Sequence, residues 1–281
     1  NTRFADFCNA VLFDGEQIVK PDSLEEKDST EVLSIFGTNP EQIHIQKWRD
    51  ILKNIIIKTD NKVCFALIGI ESQANIHYAM PVRNMIYDAL NYGYQVKEAA
   101  KKHRIKKDTM SNEEFLSGFS NEDTLTPVIT ITVYIGDKDW NAPRCLSDMF
   151  SSVDERLQDF NANLFVPSEF DDFNKFQTEL KQIFKVLSAS GNKEKMSQIL
   201  LEDQKFKLMD NETVKIINDI TGTKFPLNRK GKVVNMCKAW NDQYEDGRLN
   251  EIFSSVQEGD YSLIRGAEKA GMSIDMFEKA M

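Results

Sequence analysis

The chain has 281 residues, 41% of them hydrophobic, and a formal net charge of −9. That length suits one large domain or a medium one with a smaller companion, and the apolar share can fill a sizeable core, which excludes a disordered chain. The longest apolar runs, such as Cys64 to Ile70, fall far short of the roughly 20 residues of a membrane helix, so no membrane span is expected.

Negative net charge opposes general affinity for phosphate backbones and leaves room for nucleic acid only through a local basic cleft. The four cysteines, Cys8, Cys64, Cys145 and Cys237, are far apart and form no Cys-x-x-Cys pair. Neither a zinc site nor a disulfide scaffold is indicated, and a reducing cytoplasm is the expected compartment.

In chain order, Thr2 to Phe13 carries Phe4, Phe7, Ala10 and Val11 at helical spacing and stops at Asp14-Gly15. Asp6 lies on this helix with Asn9 close to the same face. Residues 16 to 42 are polar and acidic and read as loop with short strands. Ile43 to Ile57 reads as extended, with Asp50 at a hydrophobic-to-polar boundary, and Thr59-Asp60-Asn61-Lys62 reads as a polar turn. Val63 to Gln73 then reads as a buried strand that ends in Glu71-Ser72-Gln73. Alternation puts Glu71 and Gln73 on one face and Ser72 on the other.

A carboxylate at the end of a buried strand is costly unless compensated, and a divalent cation is a common compensator. A second acid is then needed to share the ion. Asp50 lies 21 positions before Glu71, the right separation for two antiparallel strands and a turn that bring both acids to one edge of a sheet.

Pro81 is placed for the first turn of a long helix whose apolar stripe, Val82, Met85, Ile86, Ala89, Leu90, Val96 and Ala99/Ala100, continues to about residue 103. Arg83 and Tyr87, four apart, share a face and could reach a phosphate near the metal; an arginine packed over a tyrosine is the plainer alternative. The end of this helix holds the densest positive cluster, with Lys101, Lys102, Arg104, Lys106 and Lys107. The cluster is a candidate grip for backbone phosphates, although cations also favour a helix C-terminus. His77 falls on the strand face of Gln73 and Asn75, where structural hydrogen bonding would account for it.

From Leu125 to Gly136 the β-branched alternation predicts a strand, followed by a turn rich in Asp and Asn. A helix over Cys145 to Phe150, a strand over Asn163 to Pro167 and a helix over Phe173 to Ser188 complete an alternating pattern. The expected class is α/β, a mixed central sheet flanked by helices. Residues 191–281 read as a helical C-terminal region, with helices over Lys193–Leu208, Asn211–Thr221, Val233–Asp246, Arg248–Gln257, Ser262–Ala270 and Ser273–Met281.

The last pair resembles a helix-turn-helix, with Ala267, Gly271 and Phe277 at its small, turn and core positions. Its second helix carries Asp275 and Glu278 where contacts to DNA would fall. Packing, or a homodimer through these helices, is the expected use.

Arg49-Asp50, the hairpin-sized gap, Gly69-Ile70-Glu71-Ser72-Gln73 and His77-Tyr78-Ala79-Met80-Pro81-Val82-Arg83 together resemble the bacterial recombination-promoting nuclease / putative transposase family of the PD-(D/E)XK nuclease superfamily. The resemblance covers residues 1–190, including Arg3-Phe4-Ala5-Asp6-Phe7 and Val133 to Trp140. It implies a restriction-endonuclease-like fold and a Mg²⁺- or Mn²⁺-dependent DNA endonuclease linked with recombination, mobile elements or phage defence.

By the same resemblance Asp50 and Glu71 hold the metal with the backbone carbonyl of Ile70 or Ser72, and Asp6 is an accessory acid. Arg83 and Tyr87 match a pair found on the corresponding helix of relatives. Arg49 stands where the superfamily has proline. Gln73 stands where it has lysine, as is usual in this family; a glutamine cannot supply a cation or a base but can orient the attacking water. The alternative reading is a nuclease-fold binding or assembly protein without turnover.

Overall fold

The structure is a computed structural model that describes residues 1–26, 51–59, 62–106, 110–228 and 233–281; for residues 26, 51–59 and 62–71 only the backbone is considered. Asp50 and Lys107, two of the candidate site residues, lie outside the described residues. The chain divides into two compact units, residues 1–191 and 192–281.

The first unit is mixed α/β. It begins with α1 (Thr2–Leu12), whose Phe4, Phe7 and Cys8 are buried. Asn9 sits on the same face and clamps the returning chain. Its Oδ1 accepts from Val19 N at 2.7 Å and its Nδ2 donates to Val19 O at 2.9 Å, the pairing a strand would otherwise provide.

Next come β1 (Glu25–Glu26), β2 (Ile51–Thr59) and β3 (Lys62–Gln73), then α2 (Met80–Lys106), the short α3 (Asn112–Ser117), β4 (Val128–Tyr134), β5 (Asn163–Phe165) and α4 (Leu180–Ser188). The sheet order is β1-β2-β3-β4-β5. β2 runs antiparallel to both β1 and β3, while β4 is parallel to β3 and β5 to β4. The Ile- and Val-rich sequences of β2 and β3 suit a long hairpin, and the parallel step to β4 is made by the crossover through α2.

Two expected elements are shorter. Cys145 to Phe150 forms only a 3₁₀ turn over Ser147–Met149, tied down by Asp148, which accepts from the backbone N–H groups of Arg144 and Cys145. Phe173 to Ser188 is a 3₁₀ turn over Phe173–Lys175 followed by α4 from Leu180, because Asp172 caps the turn and holds it apart from the helix. Aromatic rings fill the space between these pieces. Phe165 lies 5.4 Å from Phe7, 5.2 Å from Phe170 and 4.8 Å from Phe184, each edge to face, the arrangement ring quadrupoles favour.

The long helix departs from its sequence pattern. The stripe expected to be buried, with Val82, Met85, Ile86 and Leu90, is half-buried, and Ala89 is exposed. The buried positions are instead Met80, Pro81, Asn84, Tyr87, Asp88 and Asn91. The cause is a run of one-to-one polar pairings with β4. Thr132 Oγ1 donates to Asn84 Oδ1 (3.2 Å), Thr130 Oγ1 to Asp88 Oδ1 (2.5 Å), and Val128 N to the Tyr92 hydroxyl (3.0 Å).

Further along, the Gln95 side chain both accepts from Thr126 N (2.7 Å) and donates to Thr126 O (2.9 Å). Helix number rises as strand number falls, so α2 runs antiparallel to β4. Four helical residues rise about 6 Å and two strand residues about 6.6 Å, so the two series stay in step.

The second unit holds α5 (Lys193–Glu202), α6 (Asn211–Thr221), α7 (Met236–Gln257), α8 (Leu263–Ala270) and α9 (Ile274–Ala280), together with a short antiparallel pair, β6 (Met209–Asp210) and β7 (Val233–Val234). The all-helical expectation is corrected by that pair. It forms where Asp203 ends α5 and caps a 3₁₀ turn, Gln204–Leu208, leading into β6.

Two helices expected over 233–246 and 248–257 are one, running through Gly247. Each helix start has its cap: Asn192, Asp210, Asn235, Ser262 and Ser273 all accept a backbone N–H of the first turn. Ala267 and Phe277 are buried with Ile252 and Ala270, and Gly271, at φ 70°, makes the turn between α8 and α9.

Candidate active site

β3 carries the Glu71-Ser72-Gln73 sequence at its C-terminal end, just past the last described pair of the β2–β3 ladder and within the β3–β4 ladder. On the antiparallel side Ile51, which follows Asp50, pairs with Ile70, which precedes Glu71. On the parallel side Glu71 pairs with Thr132, Ser72 with Val133 and Gln73 with Tyr134. The strand then leads through Asn75 and His77 into α2, whose first turn is anchored by Met80 N donating to His77 O at 3.2 Å.

Gln73 is held at both ends of its amide. Nε2 donates to Asn75 O at 2.7 Å, and Oε1 accepts from Arg83 Nη1 at 3.3 Å. Arg83 also stacks over Tyr87, with its guanidinium carbon 5.9 Å from the ring centroid. Gln73, Arg83 and Tyr87 thus form one connected group, with Tyr87 buried beneath it. The arginine is neither a bare exposed cation nor a simple cover for the tyrosine.

Neighbouring donors complete the group. Asn84 is 1% exposed and its Nδ2 has no hydrogen-bond partner among the described residues. His77 is half-buried, and its Nδ1 likewise has no partner among the described residues, so hydrogen bonding through that nitrogen does not explain the histidine. Tyr134 is buried against Met80 and Trp140, and that burial, with Asp137 and Asp139 nearby, raises its phenol above the ordinary value against the opposing Lys138 backbone N–H.

Asp6 is used elsewhere. It is 4% exposed, and its carboxylate accepts from Gln177 N (2.8 Å), Thr178 N (2.8 Å) and Thr178 Oγ1 (2.5 Å). It therefore ties α1 to the segment that opens α4, a capping role at a distant point of the sequence.

The basic group is spread along the exposed end of α2, with Lys101, Lys102, Arg104 and Lys106 all exposed and Lys101 3.6 Å from Glu98. His103 turns inward and meets Asp123 at 2.7 Å. Asp123, which also accepts from Ser120 N, is held below the usual carboxylate range mainly by that histidine.

Among the described residues no group of three or more His, Cys, Asp or Glu side chains converges to hold a metal ion. Carboxylates such as Asp50 and Glu71, with the carbonyls of Ile70 or Ser72, would form an oxygen-only donor set, the chemistry that suits a hard divalent cation. Sequence reasoning missed Asn84, Asp88, Thr130 and Thr132. The signal was present in polar residues spaced 84, 88, 91 and 95 on a helix that precedes alternating threonines on a strand. Compared with protein-family models, with curated proteins and with solved structures, the chain finds no match.

Proposed function

We propose that residues 1–191 are a metal-dependent DNA endonuclease with a restriction-endonuclease-like core, working in a reducing cytoplasm. The observation that carries this reading is the register of the hairpin: Ile51 opposite Ile70 stops one residue short of Asp50 and Glu71 on the two strands. The element order α1, β1-β2-β3, α2, β4, with β4 parallel to β3, supports it further.

In this reading Asp50 and Glu71, with the carbonyl of Ile70 or Ser72, hold Mg²⁺ or Mn²⁺. The ion, when bound, lowers the pKa of water and stabilises charge on the scissile phosphate. Gln73 holds Arg83, and the guanidinium supplies the positive charge that no lysine at position 73 provides. A water oxygen forms a bond to phosphorus as the bond from phosphorus to the leaving sugar oxygen breaks, and the water's proton ends on that leaving oxygen. Lys101, Lys102, Arg104, Lys106 and Lys107 grip the backbone away from the cut.

The net charge of −9 and the Gln73 amide, already bonded at both ends, favour a second reading, a binding or assembly protein that keeps this fold without turnover. Plasmid cleavage with Mg²⁺ or Mn²⁺ separates the two. The nuclease reading expects nicking by the parent chain and its loss in both Asp50→Ala and Glu71→Ala. Equal activity in all three preparations would sink it.

A further inference from the structure

Asn84 is the most deeply buried side chain of α2 that keeps an unused donor. Thr132 Oγ1 donates to its Oδ1, and in this orientation the Nδ2 end has no partner among the described residues. A buried donor is seldom left in this state, because water no longer compensates it. Its acceptor then comes from an ordered water or from a bound molecule.

The surroundings identify the acceptor. Thr132, which orients the amide, is the ladder partner of Glu71, one strand spacing of about 4.8 Å away. Arg83, the residue before Asn84, is bonded to Gln73 at the end of the same strand. His77 Nδ1, another buried nitrogen with no partner among the described residues, lies where β3 leads into α2. The unused amide therefore belongs to the end of the β3–β4 pair where the proposed chemistry takes place.

We infer that Asn84 is a catalytic residue whose Nδ2 donates to an oxygen of the reacting phosphodiester, either the attacking water or a non-bridging phosphate oxygen. The inference rests on the nuclease reading. A neutral amide suits this task. It stays a donor at every working pH, and it adds no charge to compete with Arg83 or a cation. Thr132 is a positioning residue that acts through Asn84, since its hydroxyl holds the amide in the donating orientation.

The test compares steady-state cleavage of duplex DNA in Mg²⁺ by the full chain, Asn84→Asp, Thr132→Val and the double variant. Asn84→Asp keeps an acceptor for Thr132 and nearly the same volume while deleting the donor. Its kcat is expected to fall about 100-fold. Thr132→Val should lower kcat by a smaller factor, and the double variant should be no slower than Asn84→Asp, because both changes remove one interaction. A loss confined to kcat assigns the water, and a loss joined by a raised KM assigns the phosphate oxygen.

A readout free of turnover is the side-chain amide signal of Asn84 in nitrogen-proton NMR, identified by its absence in Asn84→Asp. It should shift when DNA is added with Ca²⁺. Parent kcat and KM in Asn84→Asp, or an unmoved amide signal, overturn the inference and leave the nuclease reading standing. If the parent chain cuts nothing, both fall together. Should Asn84→Asp not fold, Thr132→Val and the parent amide signal, assigned through the backbone by triple-resonance NMR, decide.

Discussion

Asp6 distinguishes a structural carboxylate from a catalytic one. Its carboxylate takes three donors from Gln177 and Thr178 and is 4% exposed, so Asp6→Ala removes the acceptor and leaves two backbone N–H groups facing a void. Hydrogen bonds to a charged group contribute about 1.5–3 kcal/mol each, and bonds sharing one acceptor do not add fully, so the expected loss is about 3–5 kcal/mol.

For a unit of 191 residues each kcal/mol moves the melting midpoint by about 2–4 °C, giving a fall of about 6–20 °C. Asp6→Asn, which keeps one acceptor, should lose roughly half as much. Thermal unfolding followed by circular dichroism on the full chain, beside plasmid cleavage at 25 °C, measures both effects. A melting curve within 2 °C of the parent's together with abolished cleavage would refute this reasoning and return Asp6 to the accessory role that the resemblance implies.

Three further outcomes follow from particular contacts. At Gly136 an added Cβ would stand 2.5 Å from Tyr134 Cζ and 2.6 Å from the Ala74 carbonyl, so Gly136→Ala should cost about 2–4 kcal/mol, read as a lowered urea midpoint. Gln73→Lys puts an ammonium against the Arg83 guanidinium now 3.3 Å from the glutamine oxygen. It should lower both stability, by about 1 kcal/mol, and cleavage, and adding Arg83→Gln should recover them.

Asp123 is depressed in the fold chiefly by its bond to His103. Its stabilising contribution is therefore complete above the ordinary carboxylate range and lost as pH falls through that range to the lower folded value. An NMR titration should show His103→Gln moving the Asp123 midpoint back up, and an unchanged midpoint would remove the histidine as the cause.

Much of the first unit could be read from residue type and spacing. The β2/β3 hairpin, the β4 strand and the position of α2 follow from Ile- and Val-rich runs, a polar turn and Pro81 at a helix start. Which face of α2 is buried could not be read so, because apolar periodicity assumes that burial selects apolar side chains. Here Asn84, Asp88 and Tyr92 are matched by Thr132, Thr130 and the Val128 amide, and a satisfied polar group carries little desolvation penalty.

The same blindness applied at Asp6. Its partners lie 171 and 172 positions away, beyond any local pattern. Gln73 was legible at the end of the β3 strand, but its bond to Arg83 needed the crossover geometry of α2. In the second unit the helix starts at Lys193 and Asn211 fall where they were expected, while the break expected between Asp246 and Arg248 is absorbed by one helix that begins at Met236.

The ladder of side-chain bonds along α2 limits how this protein could be regulated. Arg83 at one end, Asn84, Asp88, Tyr92 and Gln95 along the length, and His103 at the other end each hold a fixed mate outside the helix. Sliding the rod by one residue, about 1.5 Å, would dislodge all of them together. A signal arriving at the lysine-rich tip thus could not nudge Arg83 by degrees. It would have to unlatch the whole series, so control through this element would be a switch with two settings and no dial between them.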